Sequence, residues 1–219
     1  MKIESATGLV LRVRPLTDTS LIVHWLTREA GRVATVAKGA RRPKSPFRGQ
    51  MDLFYLADLS FARSSRSELH ALREVRLVKS HAALRSELAW LQQASYCAAL
   101  IEQTTELETP VPLAFELFGA FLCQLPKQPA LPQAIFAFEI KWLEELGLKP
   151  NLEESHLTPG ARQILETLLK ADWPEVFRLR LSDAQRTEIG LFLHGFLVFH
   201  LDRVPRGRNA AAFEDGKAR

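Results

Sequence analysis

Up to about Val78 apolar and polar residues alternate with a period of two, and from about His81 onward the spacing lengthens to that of helices. In the first run Leu9, Leu11 and Val13 share one face and Val10, Arg12 and Arg14 the other, as in a half-exposed strand. Further strands are predicted over Leu21-Ile22-Val23-His24-Trp25-Leu26, over Val33-Ala34-Thr35-Val36-Ala37, and from Leu53-Phe54-Tyr55-Leu56 through Phe61. Each is rich in β-branched or aromatic residues and bounded by turn formers. A fifth, Glu68 to Val75, alternates less cleanly and follows the polar hairpin connection Arg63-Ser64-Ser65-Arg66-Ser67. Five short strands predict a small closed or nearly closed barrel.

The second part predicts a helical bundle. Leu84, Leu88, Leu91, Ala98 and Ile101 mark one face of a long first helix. Pro110 and Pro112 precede a helix bearing Leu117, Phe118, Phe121, Leu122 and Leu125; Pro126, Pro129 and Pro132 separate it from one bearing Ile135, Phe138, Trp142 and Leu146, with Gly147 as its stop. Thr158-Pro159 offers a capping residue and an N1 proline ahead of Ile164, Leu165, Leu168 and Leu169. Ser182 and Gln185 have capping-box spacing before Ile189, Phe192, Leu193, Phe196 and Leu197. The tail after Arg208 is expected to fray.

Composition narrows the class. With 219 residues and 47% hydrophobic content the chain suits a globular protein. The start shows no signal-peptide pattern and no stretch has membrane-spanning length, so a cytoplasmic, nucleoid-associated location is expected. Cys97 and Cys123 sit in apolar stretches, which argues against a disulfide scaffold or a four-thiolate zinc site. The net charge of +4 is unevenly split: residues 1–80 hold 15 Lys+Arg against 7 Asp+Glu, and the remainder 14 against 18. Lys38, Arg41, Arg42, Lys44 and Arg48 fall in one short segment, and no acidic residue lies between Glu29 and Asp52. Positive potential is expected there.

Gly8-Leu9-Val10-Leu11-Arg12-Val13-Arg14-Pro15, Thr19-Ser20-Leu21-Ile22-Val23, Leu26-Thr27-Arg28-Glu29-Ala30-Gly31-Arg32 and above all Val36-Ala37-Lys38-Gly39-Ala40-Arg41-Arg42-Pro43-Lys44-Ser45 resemble motifs of the RecO family of DNA-repair proteins. The likeness continues through Phe47-Arg48-Gly49, Glu68-Leu69, Leu72-Arg73-Glu74 and Glu144-Glu145-Leu146-Gly147-Leu148-Lys149-Pro150-Asn151-Leu152. Near the end, Phe199-His200-Leu201-Asp202-Arg203 and Arg206-Gly207-Arg208 look like the family's closing helix and basic tail. The resemblance implies an α+β, two-domain protein: an OB-fold barrel over residues 1–79 and an α-helical domain over 80–219. It also implies binding of single- and double-stranded DNA, strand annealing and, with RecR, loading of RecA onto strands coated by single-strand-binding protein. Many relatives carry a four-cysteine zinc insertion, whereas here Glu153-Glu154-Ser155-His156-Leu157 leads straight into Thr158-Pro159, so no zinc is expected. An Arg-rich helix start found in some relatives is replaced by Phe136-Ala137-Phe138-Glu139.

The chemistry of the basic segment points the same way. Lys38, Arg41, Arg42, Lys44 and Arg48 follow a strand, and Gly39 lets the backbone approach a phosphate. Arginine adds bidentate geometry and stacking. Arg12, Arg14, Arg73 and Arg76 are candidates to extend that surface. Among the barrel aromatics Trp25, Phe54, Tyr55 and Phe61 are expected in the core, while Phe47, on a loop, is a candidate for stacking on a base. Trp90, Trp142 and Trp173 suit packing or a protein contact. Lys141 and Arg162, beside Trp142 or Phe138, are candidates to receive the acidic, apolar tail of single-strand-binding protein. No histidine pair has helical metal spacing, and no nucleophile elbow or phosphate loop is present, so catalysis and a cofactor are not expected. A metal-dependent nuclease and a protein-assembly scaffold with incidental DNA contact are the competing readings.

Overall fold

A computed structural model describes residues 2–213. Five strands, β1 (Ile3–Pro15), β2 (Leu21–Thr27), β3 (Gly31–Ala37), β4 (Leu56–Ala62) and β5 (Leu69–Lys79), close a barrel in the order β1-β2-β3-β5-β4. This is the expected OB-type barrel, followed by helices. The length of β1 makes closure possible: Gly8–Pro15 pairs with β2 and Ile3–Leu9 with β4, both antiparallel. The β3–β5 seam is parallel and short, running from Ala34↔Leu69 to Val36↔Ala71.

The faces of β1 differ from the simple alternation. Its pairing with β2 shifts between Val10 and Arg12, so Leu11 occupies a bulge. The barrel core takes Ala6 and Val10, with Val13 packed against it; Leu9 and Leu11 are buried outside that cluster. The extra residue explains how Val10 and Val13 can face inward while Arg12 and Arg14 remain exposed. Trp25 anchors the core, fully buried, and its Nε1 donates to Thr35 Oγ1 at 2.9 Å.

Two compact units are present: residues up to Ala82 with Thr105–Gly119, and Ala83–Thr104 with residues from Ala120 onward. Nothing in the strand pattern predicts that 105–119 joins the barrel. Arg32 donates through Nε to Thr105 Oγ1 at 2.7 Å, the Glu108 amide donates to the Arg32 carbonyl at 2.8 Å, and Leu107 bridges Arg32 in parallel. Phe118 meets Phe54 edge to face with ring centres 6.1 Å apart. Gly31, at φ 67°, passes so close to this segment that a Cβ would lie 1.9 Å from the Thr109 carbonyl oxygen. Only glycine fits there.

The second unit contains α1 (Leu88–Thr104), α3 (Pro132–Glu145), α4 (Pro159–Lys170), α5 (Trp173–Arg178), α6 (Asp183–Leu201) and α7 (Arg208–Ala212); α2 (Pro112–Gln124) begins in the first unit and ends in the second. Helix α3 is the hub, with every residue from Gln133 to Ile140 buried. Its end closes as expected at Gly147, φ 72°, with the Leu148 amide donating to the Leu143 carbonyl at 2.8 Å. Thr158 caps α4, and Ser182 with Gln185 forms the capping box of α6. The first helix is shorter than its apolar spacing suggests: Leu84 lies in a separate 3-10 turn, Ala82–Ser86, and Leu88 is exposed. The tail also differs. Arg208, Ala211 and Ala212 of α7 are buried, because Arg208 finds a buried carboxylate on α3. The rest of the expected fraying tail, 214–219, lies outside the described residues.

Candidate nucleic-acid interface

The connection from β3 to β4 is a succession of tight turns. Amides of Ala40, Arg42, Ser45, Arg48 and Gln50 donate to the carbonyls of Ala37, Gly39, Arg42, Ser45 and Phe47 respectively, each three residues back, at 3.0–3.3 Å. Gly39 and Gly49 take the left-handed backbone these turns need, at φ 72° and 73°. Ala40 and Phe47 are pegs: both belong to the barrel core cluster. With two apolar side chains drawn inward, Lys38, Arg41, Arg42, Lys44 and Arg48 are left exposed. None of these five pairs with a carboxylate among the described residues.

The β1–β2 turn holds the loop in place. The Arg41 amide donates to the Thr19 carbonyl at 3.0 Å, Arg41 Nη1 to the Thr17 carbonyl at 3.3 Å, and the Gly39 amide to Ser20 Oγ at 3.5 Å. Thr17 and Thr19 are invisible in the sequence as supports because they act through their main-chain carbonyls, and Ser20 because a lone hydroxyl in a turn carries no positional signal. The cations thus stand on a shaped platform. Such an array suits a polyanion, since phosphates can be met one by one without first separating existing ion pairs.

Phe47 is corrected by this geometry. It is only 9% exposed, and its ring packs in the barrel core instead of presenting a face to a base. The turns fold the loop back over the barrel, and an aromatic side chain gains more from burial than from exposure. Trp25, Phe54 and Phe61 are core as expected, and Tyr55 is half-buried against the same cluster.

Arg12 and Arg14 are exposed on β1, in register with His24 and Ile22 of β2. Half-burial, then the charges of Arg12, Arg14 and Arg32, push the His24 imidazole down to about 4, and its Nε2 is buried without a hydrogen-bond partner. At neutral pH this histidine adds no charge to the arginines. Arg73 is exposed on β5. Arg76 has a different setting: its Nη2 lies 2.6 Å from Asp58 Oδ2 in a groove that Glu29 and Glu74 also line. Three carboxylates disfavour phosphate, so Arg76 is a poor continuation of the basic surface.

The expected tail site is not formed by the residues named for it. Phe138 and Trp142 are fully buried, and Trp142 Nε1 donates to Thr104 Oγ1 at 2.9 Å. Lys141 Nζ donates to the carbonyls of Leu169 and Ala171, at 2.7 and 2.8 Å, and so closes the end of α4. Burial pulls its ammonium below the ordinary lysine value. Arg162 is half-buried with an unpartnered Nε. Arg208, read as part of a basic tail, is instead paired with Glu139 inside the bundle. Among the described residues no group of three or more His, Cys, Asp or Glu side chains is placed to hold a metal ion, and no helix is long and apolar enough to cross a membrane.

Comparison with known proteins agrees with the two-part architecture. A family model described as recombination protein O N terminal matches residues 1–81, and one described as recombination protein O C terminal matches residues 85–158. Relatives named DNA repair protein RecO include that of Anaeromyxobacter sp. (strain K), 35% identical over 147 residues, which are 67% of this chain and 58% of that protein. That of Symbiobacterium thermophilum is 36% identical over 69% of this chain and 60% of its own length, and that of Bacillus subtilis (strain 168) 32% identical over 66% and 56%. The match thus spans somewhat under two-thirds of the length of these relatives.

Proposed function

The chain belongs to the RecO family of DNA repair proteins, and from that premise we propose that it is a DNA-binding recombination mediator. It holds single- and double-stranded DNA on the barrel, over residues 1–79, and promotes annealing of complementary strands. With RecR it helps RecA onto strands coated by single-strand-binding protein, whose tail it also contacts. It acts without catalysis, by neutralising the phosphates of two strands and holding them close.

One observation carries this reading: five exposed cations, unpaired with carboxylates among the described residues, stand on a turn-rich loop pegged by Ala40 and Phe47. Lys38, Arg41, Arg42, Lys44 and Arg48 are the chief phosphate contacts, and Arg12, Arg14 and Arg73 are secondary ones. Annealing of labelled complementary strands, bare and coated with single-strand-binding protein, tests it. Acceleration with intact label supports the mediator. Divalent-metal-dependent loss of label would replace it with a nuclease, and negligible DNA affinity at physiological salt with a protein scaffold.

A further inference from the structure

The β1–β2 turn and the basic loop form one hydrogen-bonded body, and an apolar side chain stands exposed on it. Pairing of the two strands ends at Pro15↔Leu21, and the Leu16 and Thr17 amides both donate to the Ser20 carbonyl, at 2.9 and 3.3 Å. Thr17 Oγ1 accepts from the Thr19 and Ser20 amides at 3.3 and 3.1 Å, so the turn is braced from within. Arg41 then ties it to the loop, its amide at the Thr19 carbonyl and its guanidinium at the Thr17 carbonyl. Leu16 is 46% exposed on this brace, although Thr17, Asp18 and Thr19 beside it are the polar types a solvent-facing turn ordinarily carries. Phe47, the aromatic residue of the loop, is in the barrel core. Leu16 is thus the large apolar group that the cation platform has to offer.

We propose that Leu16 is a base contact of the barrel: it packs against an unstacked base of a single strand whose phosphates lie on Arg41 and the neighbouring cations. The inference rests on the reading of loop 38–48 as the phosphate site. Charge assigns the parts of the nucleotide. Arg14, on the strand leading into the turn, and Arg41, bonded to the turn, are exposed cations, whereas Asp18 is the turn's one carboxylate. A phosphate is drawn to the flanks and repelled from the tip, so the uncharged part of a nucleotide meets the tip. Leucine is among the side chains that proteins insert between base steps. Because the turn is braced before DNA arrives, the contact requires little further ordering. In a duplex the bases must first be unstacked, so the contact favours single strands.

The test compares binding of the full chain to an oligothymidylate and to the same phosphodiester chain with abasic sugars, which keeps every phosphate and removes every base. Wild type should bind the base-bearing strand about fivefold tighter, the low end for a base contact because leucine has no π face. Leu16→Ser should bring the two affinities together and leave the salt slope at the wild-type value, since no phosphate contact is lost, with circular dichroism unchanged. Leu16→Met should retain the preference. Arg42→Ala with Lys44→Ala should do the reverse, flattening the slope while the preference for bases stays. A folded Leu16→Ser protein that still prefers bases overturns the proposal, as does one weakened equally on both strands, or a wild type that binds both strands alike. In each of those cases the phosphate site stands on its own salt slope. A wild type that binds neither strand would instead remove the phosphate reading, and the proposal with it.

Discussion

Arg208 and Glu139 form a two-pronged ion pair inside the helical unit: Nε donates to Oε1 at 2.7 Å and Nη2 to Oε2 at 2.8 Å, with side chains 5% and 0% exposed. Tyr96 donates its hydroxyl to the same Oε1 at 2.5 Å, and burial followed by the Glu139 charge pushes that hydroxyl up, so it stays protonated. Breaking one side of such a pair strands a buried charge, at about 3–5 kcal/mol. Arg208→Met should cost that much in urea denaturation. Arg208→Met with Glu139→Gln should recover most of it, because no charge is then left in the bundle.

Removal of loop cations should change the salt response of DNA binding in a countable way. If Lys38, Arg41, Arg42, Lys44 and Arg48 each neutralise one phosphate of a single strand, the log–log slope is about −3.5. Replacing Arg41, Arg42 and Lys44 with Ala should flatten it to about −1.4, weaken binding across sequences and slow annealing, with circular dichroism unchanged. Equal slopes in two folded proteins would remove this loop from the DNA site.

Phe47 separates support from contact. Phe47→Ala should destabilise the barrel by about 3–5 kcal/mol, the usual cost of emptying a core aromatic site. Phe47→Leu keeps an apolar peg and should keep most of the wild-type DNA affinity. A Leu variant as stable as wild type that lost affinity at low salt would instead show that the ring meets a base.

His24 sets an acid limit on the fold. The unfolded chain takes up a proton at this imidazole near its ordinary 6.5, whereas in the folded chain burial, then Arg12, Arg14 and Arg32, delay uptake to about 4. Stability from this site is present in full above pH 6.5 and falls as pH drops toward 4. Burial also lowers His81 and adds to the same trend. Urea midpoints measured from pH 7 to 4 should fall less steeply in His24→Gln than in wild type. Parallel curves would show that the ring is not held neutral.

Zinc should not be bound in stoichiometric amount, since the stretch from Leu152 to Thr158 offers no cysteine and no metal-holding group stands among the described residues. Elemental analysis after dialysis that found about one zinc per chain would overturn this.

The strands and most helix boundaries were legible because period-two alternation, capping hydroxyls and Gly147 are local signals. What escaped was decided over distance. The bulge at Leu11 inverts which residues enter the barrel, yet depends on the register of two partner strands. Phe47 looked like a free loop residue because sequence shows neither the turns that fold it back nor the core waiting for it. The cations at 38–48 could be read as exposed from their chemistry alone. Lys141 and Arg208 could not, since their partners lie 28 and 69 residues away.

The segment 105–119 gives the barrel a consequence in the order of synthesis. His70 accepts at Nδ1 from the Ser64 amide, 3.2 Å, and so offers its Nε2 proton to Glu108 at 2.6 Å; Glu108 also meets Arg63, which holds Glu4 with two bonds. Both ends of the first 70 residues are thus tied through a carboxylate that leaves the ribosome almost 40 residues later. A nascent chain that has delivered all five strands still has Phe54 without Phe118 and Arg63 without Glu108. At bacterial elongation rates of about 5–20 residues per second, that interval lasts seconds, far longer than a hairpin needs to form. The barrel therefore waits, with its strands paired but one flank bare, until α1 has been made and the chain has come back to cover it.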